Sequence, residues 1–169
     1  MTSIMVATNY PELVRAVVLE DPPLMDAAPA QAGDKPAEAQ MLQFFQSILA
    51  LKELPSEQRL AIARKYNPLW DDVELAPWVE SKIEFNPEVF QHLEQVVPWR
   101  EILPRISCPI LLVTGDPAAH AIATPQTAQE AAGLWQHGEV IQVAGAGHCV
   151  HRDRYAETMP QIQAFLSRV

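Results

Sequence analysis

Glu139-Val140-Ile141-Gln142-Val143-Ala144-Gly145-Ala146-Gly147-His148 decides how the rest of the chain is read. The run 139–143 is short, apolar and β-branched, as a buried strand is. The turn 144–147 then alternates alanine and glycine, and glycine lets a backbone turn tightly at a strand end. A histidine placed there stands at the rim where open α/β sheets bind ligands. It can take up a proton near neutral pH. His148 equally suits a plainer role, capping the helix that follows.

Two earlier runs have the same character. Val14-Arg15-Ala16-Val17-Val18-Leu19 is ended by Glu20-Asp21-Pro22-Pro23, and Ile110-Leu111-Leu112-Val113-Thr114 is closed by Gly115-Asp116-Pro117. Thr124-Pro125 caps a helix over 125–135. Residues 153–168 form a last amphipathic helix with Tyr155, Met159, Ile162, Phe165 and Leu166 on one face. Three buried strands (14–19, 110–114, 139–143) separated by helical material predict an α/β fold, a parallel sheet flanked by helices.

Between the first two strands lies far more chain than one crossover helix needs. Residues 24–40 are rich in Ala, Pro, Gln and Asp and read as a loop. Apolar residues at 41, 42, 44, 45, 48, 49, 51 and 54 predict an amphipathic helix. Ser56-Glu57-Gln58 caps another, which runs to about Tyr66. Periodicity weakens over 69–85, around Trp70, Trp78 and Phe85. Asn86-Pro87-Glu88 starts a helix to about Val97, and 99–107 read as a helical turn and linker. At the N-terminus, residues 1–10 read as a helix already under way, without a signal peptide's basic start or long apolar stretch. Thr2 or Ser3 could cap it.

Of 169 residues, 49% are hydrophobic and 20% charged, enough to build a core and too apolar for disorder. No run reaches the roughly 18 apolar residues of a membrane helix. Lys and Arg number 12 against 21 Asp and Glu, a net charge of −9. A surface for nucleic acid would need the opposite sign. The two cysteines, Cys108 and Cys149, fit neither a disulfide framework nor a zinc cluster. His92, His120 and His137 are isolated, and Asp71-Asp72 reads as solvated surface. His151-Arg152-Asp153-Arg154 reads as a charged start to a helix, with Asp153 near its N-cap.

LLVTGDPA (111–118) and VAGAGHCVHRDR (143–154) resemble the C-terminal part of the α/β-hydrolase family. NYPELVRAVVLEDPP (9–23) resembles the stretch just after that family's nucleophile. The resemblance implies that 1–23 and 101–169 are the C-terminal part of the hydrolase core. It implies that 24–100 are a helical cap over the substrate pocket, where Phe44, Phe45, Trp70, Trp78 and Phe85 line an apolar wall or form ordinary core. His148 matches the family's catalytic histidine. The family's commonest acid falls at position 118, and this chain has Ala118. Some members carry the acid after the preceding strand, which matches Asp21 or Glu20, so Asp21 is the first candidate and Asp116 the second.

The nucleophile elbow, Gly-x-Ser-x-Gly, should stand immediately before Met1, and no such motif occurs in these residues. Ser3 falls in the helix after the elbow and cannot replace its serine. Cys149 reads as a structural thiol. The family's earlier strands would add roughly 100 to 150 residues. The resemblance therefore implies part of an enzyme that hydrolyses an ester, amide or carbon–carbon bond. It would use no cofactor and act on a small apolar substrate only when complete. By itself the chain should be inert. The strand 14–19 would be left as an open edge, which invites a homodimer or pairing with a missing N-terminal half. The alternative is a non-catalytic assembly protein paired through that edge. No nucleic acid or membrane partner is expected, and the cytoplasm is the default compartment.

Overall fold

Short runs that end at Glu20, Thr114 and Gln142 form a three-stranded parallel sheet: β1 (Val17–Glu20), β2 (Ile110–Thr114) and β3 (Gly138–Gln142). The computed structural model describes residues 1–25, 46–86, 88 and 97–169. The strand order is β1-β2-β3, with Val17 opposite Ile110 and Ile110 opposite Gly138. Its central position explains why β2 is buried at every residue and reads as an unbroken apolar run.

Two strand boundaries differ from the sequence reading. β1 starts at Val17, because Pro11–Leu13 forms a 3-10 turn and Arg15 reaches away to donate to the main-chain oxygen of Val169 at 2.7 Å. Pairing begins where Val17 N meets the Pro109 carbonyl, at 2.9 Å. Apolarity at Val14 therefore marks packing against the core and no ladder. β3 starts one residue early, at Gly138, and Val143 still donates to the Thr114 carbonyl. Against the expectation of a buried strand, Gly138–Val140 and Gln142 are exposed and Ile141 is only half-buried, because among the described residues β3 is an edge strand. Val143 alone of the expected run is buried.

The helices are α1 (Thr2–Asn9), α2 (Ser56–Tyr66), α3 (Asp72–Glu84), α4 (Trp99–Ile102), α5 (Pro125–Ala132), α6 (Val150–Asp153) and α7 (Tyr155–Leu166), with a further helical stretch at 46–51. Packing divides the chain into two compact units, Met1–Asp26 with Val96–Val169, and Ala27–Gln95.

In the first unit the strand period of two sorts the core into two layers. Val17, Leu19, Ile110 and Leu112 pack with Ile4, Ala7, Trp99, Leu103, Ala128 and Ala131 on one face. Leu111 and Val113 pack with Val143, Ala146, Val150 and Phe165 on the other. α1 begins at Thr2 with no side-chain cap, so neither Thr2 nor Ser3 fills that role. Thr124 does cap α5, accepting from Thr127 N. The last helix is two: the chain breaks at Arg154 (φ −141°, ψ 63°) because the Asp153 carboxylate turns back to Gly147 N instead of capping forward. On α7, Phe165 is buried but Tyr155 and Leu166 are exposed, so the buried stripe is narrower than the pattern implied.

The second unit is helical in its described residues. α2 ends where expected, but its N-cap is Pro55 and Ser56 makes no cap. Arg59 donates to the Leu51 and Lys52 carbonyls, closing the 46–51 helix. α3 spans the weakly periodic stretch, where Pro77 sits inside the helix and hides the pattern. Asp71 caps it through Val73 N, and Asp72 pairs with Arg64. Trp70 is buried and meets Trp78 edge to face, with centroids 6.2 Å apart. The predicted helical residues 41–45, including Phe44 and Phe45, lie outside the described residues, as do 87 and 89–96 with His92.

Candidate active site

Parallel strands bring all their C-terminal ends to one edge of the sheet, and the candidate residues collect there. β1 delivers Asp21, whose carboxyl is fully buried. Its backbone φ is +37°, a left-handed conformation that aspartate tolerates better than most residues. That twist leaves the strand's alternation, so the adjacent Glu20 and Asp21 both reach the segment 148–151.

The turn after β3 delivers His148. Gly145 takes φ +69°, open to glycine. Gly147 lies so close to the turn after β2 that an added Cβ would stand 2.5 Å from the Ala119 carbonyl oxygen. Gly147 N donates to Asp153 Oδ2 at 2.6 Å, which locks this tight approach. His148 Nδ1 then stands 2.9 Å from Asp21 Oδ2, while half of its side chain remains exposed (51%).

The turn after β2 supplies two further contacts to the same carboxyl. Ile122 N donates to Asp21 Oδ2 at 2.7 Å and Ala123 N to Oδ1 at 2.8 Å. Two main-chain amides thus already donate to this carboxyl, and an ionised carboxyl is acceptor-only. Facing an acceptor-only carboxyl, the imidazole places its hydrogen on Nδ1, and its neutral form then keeps the lone pair on Nε2. A half-exposed imidazole in that tautomer can accept a proton from a group beside it.

Asp116 takes no part in this contact. Its Oδ1 accepts from Ala118 N at 2.9 Å, and its carbonyl accepts from Ala119 N and Ala121 N. It shapes the turn that presents Ile122 and Ala123. Glu20 is engaged by His151, whose Nδ1 lies 2.8 and 2.7 Å from its two carboxyl oxygens. Ser3 is exposed on α1, and Cys149 is the N-cap of α6. His120 ends the 3-10 turn Pro117–Ala119 in a left-handed conformation, and the His137 carbonyl accepts from Ile110 N.

The sequence profile of the alpha/beta hydrolase family matches residues 3–160. The chain belongs to that family. Its fold is shared with N-formylmaleamic acid deformylase from Pseudomonas putida S16, at a TM-score of 0.69 and 17% identity over 95% of this chain and 61% of that one. A membrane phospholipase A described as a bacterial virulence factor gives 0.65 and 22% over 97% and 52%. The enol-lactonase from Burkholderia xenovorans LB400 gives 0.62 and 17% over 98% and 61%. The chain thus spans between half and two thirds of these hydrolases' lengths. No curated protein matches it by sequence. No helix among the described residues is long and apolar enough to cross a membrane.

Two features of the site escaped the sequence reading. The Ile122 and Ala123 contacts are made by main-chain amides and leave no residue signature. The Glu20–His151 pair was hidden because neighbours on a strand normally point to opposite sides.

Proposed function

We propose that this chain carries the base and acid of an alpha/beta hydrolase active site, with His148 as general base and Asp21 as the acid that orients it. The observation that supports this is the buried Asp21 carboxyl, 2.9 Å from His148 Nδ1 and braced by two amides. In the complete enzyme a serine would attack an ester, amide or carbon–carbon bond. His148 Nε2 would take the serine's proton, pass it to the leaving group, and then activate water. Asp21 would hold the tautomer and stabilise the imidazolium. Residues 24–100 would correspond to the family's cap, and the apolar side chains of that stretch suit a small apolar substrate.

No Gly-x-Ser-x-Gly motif occurs in these 169 residues, and on this reading they should not turn over by themselves. The test is hydrolysis of p-nitrophenyl acetate by the wild type and by His148→Ala. Equal, background-level rates are expected. Clear turnover abolished by His148→Ala would mean that a nucleophile lies within the chain, against this reading. An in-frame Gly-x-Ser-x-Gly encoded just ahead of Met1 would supply the serine.

A second reading concerns assembly. Among the described residues β1 is paired on one side, by β2, and its other edge is open. An open edge is a template for another strand. Purified chain should therefore self-associate as a homodimer, or bind the half of the fold that it lacks. A monomeric mass by light scattering at micromolar concentration would count against it.

A further inference from the structure

Glu20 and His151 form a second carboxylate–imidazole pair beside the first. Glu20 Oε1 and Oε2 lie 2.8 and 2.7 Å from His151 Nδ1, and Oε1 also accepts from His151 N at 3.1 Å. One carboxylate therefore holds both the ring and the main chain of the same residue. An ordinary surface ion pair contributes little. This one is partly shielded, with the two side chains 38% and 25% exposed, and it grips the backbone as well.

That grip matters because of where it acts. α6 is a single turn of four residues, too short to have helical stability of its own. Its place must come from outside contacts, among them Val150 buried in the core, Thr158 Oγ1 on the Val150 carbonyl, Asp153 on Gly147 N, and Glu20 on His151. His148 stands two residues before it. With half of its side chain in solvent, His148 is oriented less by packing than by the position of its own backbone. That backbone is fixed from the far side by α6.

We propose that Glu20 and His151 are positioning residues for the His148–Asp21 pair, an inference that rests on the reading of those two as base and acid. Glu20 and Asp21 are consecutive, so their Cα atoms are about 3.8 Å apart. The end of β1 thus holds the segment 148–151 at both ends. Asp21 takes the imidazole at position 148, and Glu20 takes the backbone and ring at 151. Any shift of β1 moves both anchors together and leaves the spacing of the pair unchanged. Removal of the Glu20 anchor loosens the β1 side of α6, which keeps its other contacts, and widens the range over which His148 can move.

The test is imidazole NMR on the full, 15N-labelled chain, read as the exchange rate of the His148 Nδ1 hydrogen. In the wild type this hydrogen is expected to be protected, and Asp21→Asn is expected to abolish the protection. Glu20→Ala and His151→Ala should each raise the exchange rate about tenfold, as loss of one ordinary hydrogen bond would. Glu20→Gln keeps an acceptor for His151 N and should stay nearer the wild type. An unchanged rate in Glu20→Ala, with the backbone spectrum of the sheet intact, overturns the proposal. If Glu20→Ala does not fold, His151→Ala decides it by the same readout: an unchanged rate there overturns it. A wild-type hydrogen without protection, or one indifferent to Asp21→Asn, instead overturns the base–acid reading beneath it.

Discussion

Replacing Asp21 by alanine removes an acceptor that three donors share, and the structure sets the size of the effect. The carboxyl is fully buried, and Ile122 N and Ala123 N reach it at 2.7 and 2.8 Å. A buried amide left without a partner, as at Ala123, costs about 1–3 kcal/mol, and the amide of the exposed Ile122 costs less. The imidazole is half-exposed and recovers most of its loss from water. Alanine also adopts the positive φ at this position less readily than aspartate. The sum is a loss of about 3–5 kcal/mol, a large part of a typical domain stability of about 5–15 kcal/mol. With a urea slope of about 2 kcal/mol per molar, the midpoint should fall by about 2 M. The assay is urea unfolding followed by the backbone NMR signals of β2, which report this unit alone. Asp116→Ala is the control. It loses an N-cap contact to Ala118 N and should lower stability by about 1 kcal/mol. A midpoint shift for Asp21→Ala no larger than that of Asp116→Ala would refute the claim that the carboxyl sustains both amides.

Other consequences follow from single contacts. Gly147→Ala would drive a Cβ to 2.5 Å from the Ala119 carbonyl oxygen and should lower stability by about 1–3 kcal/mol, measurable as a fall in Tm. Burial raises the Cys108 thiol above its ordinary range. In a Cys149→Ser background it should react with Ellman's reagent more slowly than free cysteine at pH 8, and the gap should close as pH rises. The thiol form is the one the fold favours, so its stabilising contribution is present below the ordinary thiol value and lost as pH climbs through the raised one. The hydrogen bond from Arg100 holds Glu130 below the usual carboxylate range. Its stabilisation is therefore present above the ordinary carboxylate value and lost as pH falls through the lowered one. Acid titration of wild type against Glu130→Gln should show stabilities that converge as this happens.

What the sequence made legible depended on whether a side chain or the backbone carried the signal. β2 was plain because five apolar residues stand between Pro109 and Gly115-Asp116-Pro117, and the central strand buries all five. β1 was misplaced at its start because Val14 is apolar for packing and the ladder begins only opposite Pro109. α3 was obscured by Pro77, which its interior accommodates. At the site, Asp21 and His148 could be named because each ends a strand run. The positive φ at Asp21 has no sequence signature, since aspartate rarely needs it. Without it, Glu20 would be assigned to the opposite side from Asp21, and His151 would remain an ordinary charged residue at a helix start.

The arrangement also shows how a buried carboxyl can stand at the end of β1 while the turn after β2 carries Ala118. Each strand end contributes a different part: β1 the carboxyl, the turn after β2 two amides, the turn after β3 the imidazole. The partners are 101, 102 and 127 residues apart in sequence, and pairing of the three strands is what brings them together. Asp116 sits where a second candidate acid was expected, yet its carboxyl is spent on Ala118 N. Its carbonyl receives Ala119 N and Ala121 N and so folds the turn that offers Ile122 and Ala123. On the proposed reading of Asp21 as the acid, the turn after β2 need only present amides to a carboxyl, a task for backbone in a fixed shape and indifferent to the side chain at 118. Register between β1 and β2 then becomes the variable that matters. A one-residue slip would carry Asp21 about 3.3 Å along the sheet, beyond reach of both amides and of His148 at once.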